Sequence, residues 1–227
     1  MTTRTIFLVI PAYNEGDAIG DVVRTVARRF TRVVVVDDGS RDATASVALA
    51  AGAHVIAHPV NLGQGAALQT GLDYCVGQAA DYIVTFDADG QHDPDDVDGM
   101  IATLEREGVQ VALGSRFLAG ASTNATRARR LLLKAAALFT RATTGLKVTD
   151  AHNGLRVLRL EAARRIRLRQ NRMAHASEIL EQIARMELTY VECPVTIRYT
   201  DYSRAKGQSG WDAIHILIDL ALQRLKS

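Results

Sequence analysis

Val33-Val34-Val35-Val36-Asp37-Asp38-Gly39-Ser40 is the stretch that sets the fold. Four β-branched residues in a row favour an extended chain, and a strand apolar at every position has no face to give to water. Such a strand belongs inside a parallel sheet covered by helices on both sides. The run stops at two carboxylates and a glycine, where Gly39 permits a tight turn and Ser40 or Asp42 can cap the next helix. On its N-terminal side, Thr5 to Ile10 is a second apolar run, closed by Pro11, and a helical pattern covers about Asp17 to Phe30. On its C-terminal side, His54 to Ala57, Tyr82 to Phe86 and Val109 to Leu113 read as strands, with helices near 65–78 and 95–107 between them. Alternating strand and helix predict an α/β fold with a mostly parallel, doubly wound sheet. Ligands of such sheets bind beyond the carboxyl ends of the strands. The polar segments Pro11 to Glu15, Asp37 to Ser40, Asn61 to Gly65 and Asp87 to Gln91 all fall there.

The last of these segments carries the most chemistry. In Thr85-Phe86-Asp87-Ala88-Asp89-Gly90-Gln91-His92-Asp93-Pro94, Asp87 and Asp89 fall on one side of an extended backbone. Two carboxylates held that close repel unless a cation or proton lies between them. Oxygen donors alone suit a hard cation, Mg²⁺ or Mn²⁺. Asp93 is expected to cap a helix that starts at Pro94. The glycines of Asn61-Leu62-Gly63-Gln64-Gly65-Ala66 could let backbone amides approach a phosphate. As a dinucleotide motif the match is poor, because Leu68 stands where a third Gly or Ala belongs and the motif follows the third strand. A plain helix-entry loop explains that spacing slightly better.

Composition sets the bounds. A chain of 227 residues, 48% of them hydrophobic, can build one large α/β domain, and the whole chain is read as such. No apolar run approaches the roughly 18 to 20 residues that cross a bilayer. The N-terminus reaches a strand too early for a signal peptide, so a cytoplasmic location is expected. Cys75 and Cys193 are too few and too far apart for a disulfide framework or a zinc site. The net charge of +2 hides a division: 7 Lys and Arg stand against 16 Asp and Glu up to Glu107, and 20 against 9 from Gly108 onward. The acidic half suits a metal ion, the basic half phosphates, nucleic acid or an anionic membrane surface.

Four motifs in order resemble the family 2 glycosyltransferases of the GT-A fold. They are Val9-Ile10-Pro11-Ala12-Tyr13-Asn14-Glu15, Val36-Asp37-Asp38-Gly39-Ser40, Asn61-Leu62-Gly63-Gln64-Gly65 and Asp87-Ala88-Asp89-Gly90-Gln91-His92. Within that family the chain is most similar to polyprenyl-phosphate sugar transferases of the dolichyl-phosphate mannose synthase type. The resemblance implies a UDP- or GDP-linked sugar held by Pro11, Tyr13, Glu15, Asp37, Asp38, Gly63, Gly65 and Asp87. It implies a divalent metal on Asp87, Asp89 and Gln91. Thr149-Asp150-Ala151-His152-Asn153-Gly154-Leu155-Arg156 resembles the segment that lines the sugar and acceptor side, which makes Asp150 the expected sugar contact. The basic loop from Arg198 to Lys206 resembles one used near the diphosphate, which implicates Arg198, Arg204 and Lys206.

The second half adds a surface. Between Gly108 and Thr149 there is no Asp or Glu, yet there are Arg116, Arg127, Arg129, Arg130, Lys134, Arg141 and Lys147. In a helix from about Thr126 to Thr143, at about 100° per residue, Arg127, Arg130, Lys134 and Arg141 share one narrow face with Leu131 and Leu138 beside it. Leu132, Leu133, Ala136 and Phe139 fall opposite. Such a stripe can lie on an anionic membrane or remain a solvated face. From about Ser209 to Leu225, apolar residues recur at helical spacing, as in a core or partner contact.

The resulting expectation is inverting transfer of a hexose to a polyprenyl phosphate, peripherally at the inner face of the cell membrane. Arg116, Arg127, Arg130 and Lys134 would supply cations for the acceptor phosphate, with Asp89 and Arg198 facing the leaving diphosphate. Stable attachment calls for a second contact, either the amphipathic helix or a membrane protein partner, and an oligomer is open. A saccharide hydroxyl acceptor would instead need a carboxylate base, Asp150 or Glu178. A third reading, a sugar-nucleotide sensor or nucleic-acid-binding module, suffers from the lack of aromatics among the basic residues.

Overall fold

The computed structural model describes residues 4–170 and 174–199. In chain order the first elements are β1 (Ile6–Ala12), α1 (Ile19–Ala27), β2 (Val33–Asp37), α2 (Thr44–Ala50), β3 (His54–Ala57), α3 (Gln64–Gly77), β4 (Tyr82–Thr85) and α4 (Asp96–Arg106). They are followed by β5 (Val111–Ser115), β6 (Ser122–Thr123), α5 (Arg127–Thr144), β7 (Arg156–Arg159), α6 (Leu160–Arg165), α7 (His175–Arg185), β8 (Tyr190–Pro194) and β9 (Thr196–Ile197). Seven strands form one sheet in the order β3-β2-β1-β4-β7-β5-β8, and β6 pairs with β9 beside it. All neighbours in the large sheet run parallel except β7, which is antiparallel to both β4 and β5.

The valine run behaves as its composition demands. Val33 and Val35 pack with Leu8, Ile10, α1, α2 and α4 on one side of the sheet. Val34 and Val36 pack with Phe7, Val9, α3, α6 and α7 on the other. Strands β1, β2 and β4 divide their alternate residues between the two cores and leave no face for water, whereas the edge strand β3 is only partly covered.

Pro11 does not close β1, contrary to the sequence expectation; the strand runs on to Ala12. Pairing with β4 ends at Val9↔Thr85, with one further bond from Phe86 N–H to Val9 O, whereas pairing with β2 continues to Ala12↔Asp37. Pro11 would offer its missing N–H on the β4 side, past the last bond there, so the ladder loses nothing. The helix after β4 also starts later than expected, at Asp96. Asp93 Oδ1 instead accepts the Asp95 N–H at 3.1 Å, a local turn one step upstream.

Helix α3 lies close on β1 because Gly71 faces it: a Cβ there would come within 2.2 Å of Val9 Cγ1. Gly77, in the last turn of the same helix, has open space around it. Gly71→Ala should therefore destabilise the protein by about 1–3 kcal/mol through overpacking, lowering Tm by about 2–4 °C per kcal/mol. Gly77→Ala should be neutral or stabilising by up to about 1 kcal/mol. Thermal unfolding of the two variants side by side checks the pair.

Candidate active site

The carboxyl ends of β1 to β4 share one edge, and the loops there are tied to one another. Asn14, at φ 51°, donates its N–H to Ser40 Oγ (2.9 Å) and accepts the Arg41 N–H on Oδ1 (2.9 Å). Glu15 N–H bonds Thr44 Oγ1 at 2.8 Å, and Asp42 accepts the Thr44 N–H at 3.0 Å, but the N-cap position of α2 falls to Ala43, so neither Ser40 nor Asp42 is the capping residue. Pro11 to Glu15 and Asp37 to Thr44 are thus one unit. Pro11 is buried within β1, while Tyr13 is exposed at the rim.

Asp38 turns inward instead of toward a ligand. It is 2% exposed, and its carboxylate accepts the Leu62 N–H (2.9 Å), the Gly63 N–H (2.7 Å) and a ring nitrogen of His58 (2.8 Å). Asp37 Oδ1 accepts the Ser40 N–H at 3.2 Å. Gly39 stands at φ 70°, and a Cβ there would lie 2.4 Å from the Val60 carbonyl carbon, so backbone conformation and close packing both call for glycine. Gly63 also has a positive φ, 99°, whereas Gly65 is glycine for another reason: a Cβ there would lie 2.0 Å from the Gln170 carbonyl oxygen. The second glycine thus serves close packing of the chain at Gln170.

The paired carboxylates stand beyond β4. His92 Nε2 lies 2.8 Å from Asp87 Oδ2, with its ring edge toward Phe86. Burial pushes Asp87 up, but His92 and then Arg156 outweigh it and hold that carboxyl below its usual range. Burial and then the Asp87 charge push Asp89 the other way, to about 6. Gln91 donates both its backbone N–H (3.1 Å) and its side-chain amide to Asp89, so it holds that carboxylate and is not a third oxygen beside it. Among the described residues no group of three or more His, Cys, Asp and Glu could hold a metal by itself. Two oxygen-donating residues, one of them strained by its neighbour's charge, fit a hard divalent cation that fills its remaining positions with water and substrate phosphate.

Because β7 is antiparallel, the segment leading into it reaches the same edge. A Cβ on Gly154 would strike the Asp87 carboxylate, 2.2 Å from Oδ2, and Thr85 Oγ1 donates to the Gly154 carbonyl. This glycine is what lets the Asp150–Arg156 motif close on the paired carboxylates. Asp150 itself is buried against Arg116, whose Nε lies 2.6 Å from Oδ2; Arg116 also donates to Tyr199 Oη (2.6 Å) and the His152 carbonyl (3.2 Å). Arg116 is therefore an internal partner of Asp150, not an open phosphate ligand.

Two further expectations change in the same way. Glu178 is buried in α7 and accepts the N–H groups of Arg169 (2.9 Å) and Gln170 (2.9 Å), fixing the chain that touches Gly65. Arg198 pairs with Asp93 at 3.0 Å, with its side chain largely exposed beside a cavity that also takes in Arg28, Arg29 and His92. Arg204, Lys206 and the Ser209–Leu225 segment lie outside the described residues. Helix α5 does carry its stripe as read: Arg127, Arg130, Lys134 and Arg141 are exposed, with Leu131 and Leu138 at 72% and 66%.

Sequence reading gave no separate role to His58, His92 or Arg156. Each had a signal: the two histidines stand in polar segments just past strand ends, and Arg156 interrupts a buried strand pattern. Burial lowers the Arg156 guanidinium against the pull of Asp87 and Asp150, so one buried cation faces both carboxylates.

A doubly wound sheet with paired carboxylates past its fourth strand and an antiparallel return at the same edge is the framework of a GT-A sugar transferase. The chain belongs to glycosyl transferase family 2, whose model matches residues 7–167, and it is a glycosyltransferase. It is 32% identical to a UDP-N-acetylglucosamine–dolichyl-phosphate N-acetylglucosaminyltransferase from Methanococcus voltae, over 91% of each chain. It is 33% identical to a polyprenol monophosphomannose synthase from Mycolicibacterium smegmatis, over 74% of this chain and 66% of that one. Among solved structures, glucosyl-3-phosphoglycerate synthase from Mycobacterium tuberculosis with Mn²⁺ and UDP-glucose superposes with a TM-score of 0.67 at 24% identity, covering 86% of this chain and 70% of that one.

The raised Asp89 carboxyl yields a pH prediction. In the metal-free protein its protonated form is favoured, so its contribution to stability is complete below about pH 4 and is lost as pH rises through about 6. Asp89→Asn should then raise the metal-free Tm at pH 7.5 by about 2–4 °C for each kcal/mol relieved, with a smaller gain at pH 5. Added Mn²⁺ should raise the wild-type Tm at pH 7.5, less at pH 5, and not in the variant. Thermal scans at the two pH values, with and without the ion, read all three effects.

Proposed function

We propose that the enzyme moves a hexose from a UDP- or GDP-linked donor to a polyprenyl phosphate, with inversion, at the inner face of the cell membrane. The observation that carries this reading is the fate of the carboxylates. A saccharide hydroxyl is a poor nucleophile and needs a positioned base. Asp150 is locked by Arg116, and both oxygens of Glu178 accept backbone N–H groups. Each oxygen of these two carboxylates already accepts a hydrogen bond inside the protein. A lipid phosphate needs none, being already an anion with a second pKa of about 6. Two relatives whose names specify polyprenyl-type phosphates support the same acceptor class.

In this reading an oxygen of the acceptor phosphate forms the new bond to the anomeric carbon from the face opposite the diphosphate. The old carbon–oxygen bond breaks and a nucleoside diphosphate leaves. A divalent cation held by Asp87 and Asp89 would neutralise the charge that grows on that leaving group. The chain's own part is positional: His92 fixes Asp87, Gln91 fixes Asp89, and the tied loops after β1 and β2 present Tyr13 and Glu15 to the nucleotide. Tyr13 and Glu15, together with the loop around Gly63, form the donor surface. Arg127, Arg130 and Lys134 on α5 would hold the acceptor's anionic surroundings, and no carboxylate between Gly108 and Thr149 opposes them. Among the described residues no helix is long and apolar enough to cross a membrane, so contact would be through this surface or a membrane partner.

Incubation with radiolabelled sugar nucleotides, with and without polyprenyl phosphate, followed by organic extraction, tests the reaction. Label confined to water-soluble saccharide would overturn it. Changing Arg127, Arg130 and Lys134 together to Glu removes three attractions of about 1 kcal/mol each. Binding to anionic vesicles should fall by about 100-fold or more, wild-type binding should weaken with salt, and nucleotide affinity should hold.

A further inference from the structure

We infer that His58 is a positioning residue of the donor site: through Asp38, which takes the Leu62 and Gly63 N–H groups, it holds the loop after β3 in the arrangement that receives the nucleotide sugar. The inference rests on the reading of this edge as the nucleotide-sugar site. His58 follows β3 directly, and its N–H donates to the Asp37 carbonyl at 2.8 Å, which extends the β2–β3 ladder by one residue. Its ring then spans two elements. Nδ1 lies 2.8 Å from Asp38 Oδ1, and Nε2 lies 2.9 Å from Thr70 Oγ1 on α3. Asp38 as a carboxylate only accepts, so Nδ1 is the donor and Nε2 meets the threonine hydroxyl.

What makes this chain of contacts decisive is how little apolar burial holds the loop among the described residues. Pro59, Val60, Asn61 and Leu62 are all exposed, with Val60 at 58% and Leu62 at 43%, so apolar burial does not fix them. The loop is fixed from within, by Gly39 pressed under Val60 and by Asp38 taking two of its N–H groups. Asp38 and His58 have side chains only 3% and 9% exposed. A buried carboxylate keeps one orientation when all its partners are in place. Removing His58 or Thr70 frees that carboxylate to turn, and the Leu62 and Gly63 amides turn with it. Asp38 would then serve the nucleotide by shaping the loop that touches it.

The test titrates UDP and GDP separately, with Mn²⁺ present, into wild type, Thr70→Val, His58→Phe and His58→Asn. Thr70→Val keeps the imidazole–carboxylate bond and should weaken binding of the preferred nucleotide about threefold, whereas His58→Phe should weaken it about tenfold or more. His58→Asn, which can place an amide N–H near the Nδ1 position, should recover part of the loss. In turnover assays the donor KM should rise with kcat at saturating donor held within about twofold, and hydrogen exchange at Leu62 and Gly63 should quicken. Equal nucleotide affinity in wild type and Thr70→Val, with unchanged exchange at those two amides, would overturn the inference. So would a fall in kcat at constant KM. If wild type binds neither nucleotide, the donor-site reading itself fails and takes the inference with it.

Discussion

The unequal ladders on the two sides of β1 are the constraint on which the site depends. On one side pairing continues to Ala12↔Asp37; on the other it stops at Val9↔Thr85 and the single bond beyond it. The chain past Phe86 is thereby released from the sheet several residues earlier than the chain past Ala12. The two segments part at the point where the order of strands reverses from β3-β2-β1 to β4, which is where open sheets of this kind receive ligands. Pro11 keeps the difference in place, because it has no N–H with which to extend the shorter ladder. The Asp87–Gln91 segment can then curl over the sheet edge instead of lying along it.

The antiparallel β7 completes that edge from the other half of the chain. Its entry segment brings Gly154 against Asp87 and Asp150 against Arg116, and its first residue places the Arg156 cation beneath both carboxylates. Burying charges costs several kcal/mol per ion before their attraction offsets it. What the pairs do supply is orientation: Arg116 holds Asp150 in one position through its Nε, 2.6 Å from Oδ2. The site is built on strands and their immediate ends, where packing from two cores limits movement.

Much of this was legible in the residues. Uniformly apolar runs gave β2 and β4, and a 3.6-residue period gave the exposed stripe of α5 to within one residue of its ends. The inward carboxylates were not legible. Asp38 follows a strand, Glu178 stands in the first turn of α7 and Asp150 in the loop before β7, places where an acidic side chain can face a ligand or an N–H equally well, and only three-dimensional proximity decides. Strand β7 was hidden as well, because Arg156 and Arg159 break the apolar pattern by which buried strands are recognised. The pairing of Arg198 with Asp93 was not legible either, since the two stand 105 positions apart in sequence.

The surface of α5 has an electrical consequence. Arg127, Arg130, Lys134 and Arg141 are exposed on it, and no Asp or Glu occurs between Gly108 and Thr149. A molecule with a net charge of only +2 is weakly attracted as a point, yet one such face makes its field uneven. Near a negatively charged plane that unevenness turns the molecule as well as pulling it. The basic face turns toward the plane within about one Debye length, ~8 Å at physiological salt. The protein would arrive at such a surface already facing it.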